Sequence, residues 1–117
     1  MNTRYLFTRA MLALSGVLFA VSVFAAEPYA KIKSPPDGAK LDAMSQNKIE
    51  YEVNPGPGGD HVHLYIDDRE AAILRKLSGT HTLSDALLPG AHKICIKVVN
   101  KAHVPIGVEQ CIQVRSE

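Results

Sequence analysis

The sequence predicts an all-β protein, an antiparallel β-sandwich of about seven short strands, and three observations predict it. Two runs near the C-terminus alternate apolar and polar residues with period two, the pattern of half-buried strands. Turn-forming Gly, Pro, Asn and Asp recur between short apolar runs along the rest of the chain. No segment carries a helical period long enough to stand as a helix, and there is no repeat or low-complexity tract.

Ahead of the strands, Arg4 and Arg9 precede an apolar run over 10–20, and Val23-Phe24-Ala25 meets the small-x-small rule. Residues 1–25 are therefore expected to be a secretory signal peptide cleaved after Ala25. The apolar run falls short of the ~20 residues of a spanning helix, which disfavours an uncleaved anchor. What remains, 26–117, is one domain of 92 residues with 11 basic and 12 acidic side chains. That balance points to neither nucleic acid nor an anionic membrane surface as a partner. Two cysteines behind an export signal imply an oxidising compartment, periplasmic or extracellular.

The expected strands begin near Tyr29, Lys48, His61, Glu70, Gly79, Ala91 and Gly107. Ser34-Pro35-Pro36-Asp37-Gly38 ends the first, because proline cannot donate to a ladder and Asp-Gly favours a turn. The stretch 39–47 is ambiguous. In the second strand Ile49, Tyr51 and Val53 alternate inward, and Asn54-Pro55-Gly56-Pro57-Gly58-Gly59 is a loop by composition. In the third, Val62, Leu64 and Ile66 share one face and His61, His63 and Tyr65 the other. Asp67-Asp68 is the tight turn that follows, with aspartate where a type I′ turn prefers glycine. The last two strands form a hairpin folded about His103. In the register that keeps one face dry, Ile94 faces Ile112, Lys97 faces Glu109, Lys93 faces Gln113, and Cys95 faces Cys111, an expected disulfide.

Leu88-Pro89-Gly90 resembles the corner that fibronectin type III and related immunoglobulin-like domains place before their sixth strand, and Ile32 to Gly38 resembles the Ile-x-Ser-Pro-x-Asp-Gly opening of bacterial immunoglobulin-like modules. The whole is also similar to small exported bacterial proteins of unassigned function that carry His-x-His-x-Tyr and a late cysteine pair. These resemblances imply an immunoglobulin-like sandwich and an exported location. They imply no reaction.

Five histidines fall in the 92 residues. A His-x-His on one strand puts both rings on one side, about 6.5–7 Å apart along the backbone. If the loops follow the immunoglobulin pattern, His61, His63, His81 and His103 gather near one rim, where they are candidate ligands for Cu or Zn. His92 falls at the other end, as a hydrogen-bonded strand-end residue. The competing reading leaves the histidines as ordinary outward residues of a contact face that includes Asp60 and Tyr65. For catalysis there is no nucleophile elbow, no spaced carboxylate pair and no phosphate cradle. The sequence thus predicts a non-catalytic interaction module without a cofactor, meeting a protein or envelope ligand through the Gly/Pro loop at 54–59 and the His61, His63 and Tyr65 face. A Cu or Zn binding protein using the His61/His63 face is the alternative.

Overall fold

The computed structural model describes residues 13, 15–18 and 26–117. The expected signal peptide, 1–25, falls almost wholly outside the described residues. Among these, no helix is long and apolar enough to cross a membrane.

Eight strands run in order: β1 (Tyr29–Ser34), β2 (Ala39–Leu41), β3 (Lys48–Asn54), β4 (His61–Ile66), β5 (Arg69–Leu74), β6 (Ser78–Thr82), β7 (Gly90–Val99) and β8 (Pro105–Ser116). They form two sheets, β1-β3-β6 and β2-β8-β7-β4-β5. Seven correspond to the expected strands. The eighth, β2, lies in the ambiguous stretch and pairs parallel to β8, so the larger sheet is not purely antiparallel. The proline turn makes this pairing. After it, the Gly38 N–H donates to the Gln113 carbonyl and the Gln113 N–H donates to Asp37 Oδ1, which carries the chain from one sheet to the edge of the other.

Between the sheets, period-two faces meet as the alternation demands. Ile32, Ile49, Tyr51 and Val53 of the smaller sheet pack on Val62, Leu64, Ile94, Ile96, Val98, Ile112 and Val114 of the larger, with Leu74, Leu83 and Leu87 closing the sides. Tyr51 reaches past the core to donate to the Lys76 carbonyl at 2.9 Å, so its hydroxyl is satisfied.

The β7–β8 hairpin keeps the register set by its dry face: Ile94 opposite Ile112, Lys97 opposite Glu109, Lys93 opposite Gln113. Cys95 and Cys111 are paired across it in a disulfide, with Cα atoms 4.0 Å apart. Asp67 and Asp68 form the two-residue turn between β4 and β5, both with positive φ (51° and 66°). Aspartate tolerates that region better than most residues, and tertiary contacts hold it there. The Lys93 N–H donates to Asp67 Oδ1 and Lys93 Nζ lies 2.6 Å from Asp68 Oδ1.

Candidate metal centre

On β4, the period-two pattern sends His61 and His63 to the face away from the core, as their parity with Tyr65 requires. Their exposure is nevertheless 1% and 2%. A contact face built on those two rings is therefore not accessible, although both stand on the outer side of the strand. The cover is the β7–β8 connection. Val99 lies directly opposite His61 and is itself fully buried. Beyond it, 100–104 fold back over the sheet and bring His103 onto the two rings.

That loop is fixed by one side chain. Asn100 Oδ1 accepts from the N–H groups of Ala102 and Val104, at 2.9 and 3.0 Å. The Asn100 N–H donates to the Val104 carbonyl, and the His103 N–H to the Asn100 carbonyl, both at 3.0 Å. His103 sits within this knot at φ 62°, a left-handed conformation that costs a non-glycine residue energy and persists because the surrounding bonds over-determine it. Sequence reasoning missed Asn100. The available signal was an asparagine at the end of a strand, two residues before Ala102 and four before Val104, the spacing at which its side chain mimics a turn.

Three ring nitrogens converge. His61 Nε2 lies 3.0 Å from His63 Nε2 and 3.2 Å from His103 Nδ1, and His63 Nε2 lies 3.0 Å from His103 Nδ1. The outer nitrogens face carboxylates. His61 Nδ1 is 2.8 Å from Asp60 Oδ2, and this hydrogen bond holds the Asp60 carboxyl below the usual carboxylate range. An ionised carboxylate only accepts, so His61 carries its proton on Nδ1 and, as a neutral ring, its lone pair on Nε2. Burial pushes His63 below the ordinary histidine value; the Glu70 carboxylate opposes the shift, and His61, His103 and Arg75 reinforce it. His63 Nδ1 has no hydrogen-bond partner and points toward Glu70 Oε2, 3.6 Å away. With the His63 proton on that nitrogen, its lone pair also faces inward. Two lone pairs 3.0 Å apart repel, and only His103 is left to supply a single proton to both. A cation bound to all three nitrogens removes the conflict. Among the described residues, these three histidines are the one group whose ligand atoms gather closely enough to hold an ion.

His81 does not join them. It is the fourth residue of β6 and pairs with Ile49 near the start of β3, whereas the loop to His61 leaves the far end of that strand. Three residues of strand rise carry it about 10 Å from the rim where β6 begins. It lines a cleft of about 350 Å³ at the opposite end, together with Asp67, Leu87, Leu88 and His92. The other two surface candidates stay beside the cluster. Asp60 orients His61, and the Tyr65 ring lies 6.4 Å from that of His63, with Lys97 Nζ 4.7 Å above it.

No family model matches the chain, and no curated protein matches it. Among solved structures, the fibronectin(III)-like modules of Clostridium thermocellum CbhA superpose with a TM-score of 0.62 at 19% identity, covering 74% of this chain and 93% of theirs. A lytic polysaccharide monooxygenase from Jonesia denitrificans gives a TM-score of 0.46 at 15% identity, covering 71% of this chain and 60% of its own. At these identities the first likeness speaks for architecture. The described residues thus fold as a fibronectin type III-like β-sandwich, crosslinked by the Cys95–Cys111 disulfide.

Proposed function

We propose that this protein is an exported, non-catalytic binding module whose ligand is a single Cu or Zn ion held by His61, His63 and His103. One observation carries the reading: three imidazole nitrogens lie 3.0–3.2 Å apart, with the outer nitrogen of His61 hydrogen-bonded to Asp60 and that of His63 turned toward Glu70. Hydrogen bonding to the outer nitrogen is how proteins fix the tautomer and raise the basicity of a ligating histidine. The rings come from two segments about 40 residues apart, so only the folded chain assembles them. An oxidising compartment suits the disulfide and agrees with the export signal expected at 1–25.

The test is a thermal melt of the domain 26–117 with and without each ion. Binding to the folded state alone should raise stability by about 2.7 kcal/mol at a hundredfold excess of free ion over Kd. His61→Ala with His63→Ala should abolish the rise, and His81→Ala and His92→Ala should leave it intact. If neither Cu nor Zn moves the wild-type transition, the metal reading fails. Asp60, Tyr65 and the Gly/Pro loop would then remain as a contact surface for a protein or envelope ligand.

A further inference from the structure

The spacing of the three nitrogens says more than that an ion fits. Each metal geometry demands its own nitrogen–nitrogen distances. At a bond length of about 2.05 Å, cis ligands on an octahedral ion lie about 2.9 Å apart, those around a tetrahedral ion about 3.3 Å, those in a trigonal plane about 3.5 Å, and a trans pair about 4 Å. The observed separations, 3.0, 3.0 and 3.2 Å, contain no trans pair and are too short for a plane. They describe a tripod. An ion bonded equally to all three stands about 1 Å out of their plane, with ligand–metal–ligand angles of roughly 95–103°. Three nitrogens in a square plane must include a trans pair; a facial set on a tetrahedral or octahedral ion need not.

A tripod covers one side of the ion, and this one has no fourth protein donor among the described residues. The two nearby carboxylates are committed elsewhere. Asp60 meets the outer nitrogen of His61 and Glu70 faces the outer nitrogen of His63, each on the far side of its ring from the convergent atoms. Two corners of the triangle are buried, but the third belongs to His103, an exposed residue on the hairpin tip, so the cluster meets solvent there.

Building on the metal reading above, we infer that the site is a facial three-histidine centre, with the open side of the ion left to an exogenous ligand, water or a small anion. The ligand class is a monodentate oxygen or nitrogen donor. The protein's part is to keep that side free by turning its own carboxylates away.

Co(II) reports this directly, because four-coordinate Co(II) gives intense visible bands and six-coordinate Co(II) weak ones. The domain 26–117 loaded with Co(II) should show visible bands whose intensity reads the coordination number, Zn(II) should displace the Co(II) and bleach them, and sodium azide should shift the band maximum. His103→Ala should remove the bands, whereas Lys101→Ala on the same loop should keep both bands and azide shift. Bound Co(II) whose bands azide does not move would overturn the open site while leaving metal binding standing. A melt unmoved by Co(II), Zn(II) and Cu(II) alike would overturn both readings.

Discussion

The two ends of the sandwich each hold a histidine bonded to an aspartate, and they differ in what the second ring nitrogen meets. At one end His61 Nδ1 meets Asp60 and its Nε2 meets two other imidazoles. At the other, seven residues or about 24 Å back along β7, His92 Nδ1 lies 2.5 Å from Asp67 Oδ2 and its Nε2 2.6 Å from the Leu88 carbonyl. A carboxylate and a carbonyl both only accept, so His92 donates from both nitrogens and is an imidazolium. The Asp67 hydrogen bond, and then that of Leu88, raise it above the ordinary histidine value against burial. Asp67 is held below its own ordinary value: burial works the other way, but the Lys93 N–H and His92 prevail. One end therefore stores a proton to tie a turn to a loop, and the other turns three ring nitrogens toward each other. The residue type is the same; the partner of the second nitrogen decides the chemistry.

The largest test of this contrast removes the crosslink between the ends. Cys95→Ala with Cys111→Ala opens a loop spanning a sequence separation of 16 and should lower stability by about 3 kcal/mol in urea denaturation. Alkylation of non-reduced protein should find no free thiol. If the histidine geometry follows from strand register alone, Zn affinity should survive in the folded double variant. A loss of affinity would show that the disulfide also positions the tripod.

A narrower break is Asp60→Ala, which takes away the carboxylate of the His61 end only. Outer partners of ligating histidines are typically worth 10–100-fold in metal affinity, and titration calorimetry should show a loss of that size. An unchanged affinity would mean that the tautomer of His61 is fixed by something other than Asp60.

The ends should also answer pH in opposite directions in the metal-free protein. His92 is raised in the folded state, so its contribution is fully present below the unfolded value of about 6.5 and is lost as pH rises through its folded value. His63 is lowered, so below about pH 6.5 the unfolded chain takes up a proton that the folded chain refuses, and stability falls. His92→Gln should therefore cost about 1–2 kcal/mol at pH 5.5 and much less at pH 9, leaving the acid loss at the tripod unopposed. Melts across pH 5–9 that show parallel curves for wild type and variant would reject the imidazolium.

The smallest effect distinguishes neighbouring aspartates at the His92 end. Asp68→Gly relieves a positive φ and gives up only a surface ion pair with Lys93, so stability should rise by about 0.5 kcal/mol. Asp67→Gly relieves the same kind of strain but should destabilise, because the Lys93 N–H and His92 both depend on that carboxylate.

Much of the architecture could be read in advance, because a period-two pattern fixes which face of a strand is dry and a slip of one residue would expose it. Ile49, Tyr51, Val53, Val62, Leu64, Ile94, Ile96 and Val98 are buried for that reason. The three-residue strand β2 was not legible, since a parallel partner 75 residues away leaves no local pattern in Ala39–Leu41. The same limit applies at the site. Alternation places His61 and His63 on the outer side of β4 but says nothing of a loop lying over that side. Nor does it say how far along β6 a residue sits relative to a rim, which is why His81 was grouped with rings it does not approach.

By itself the sequence determined the strand faces, the hairpin register and the disulfide that the register brings together, because each follows from local alternation and from cysteines at matching positions. Tertiary structure decided what the histidine rings meet. Burial of His61 and His63, the Asn100 knot that holds His103 against them, and the carboxylates at their outer nitrogens all come from segments that meet only when the sheet is complete. A ring nitrogen's role depends on the atom within 3 Å of it, and no pattern of residue types along the chain specifies that atom.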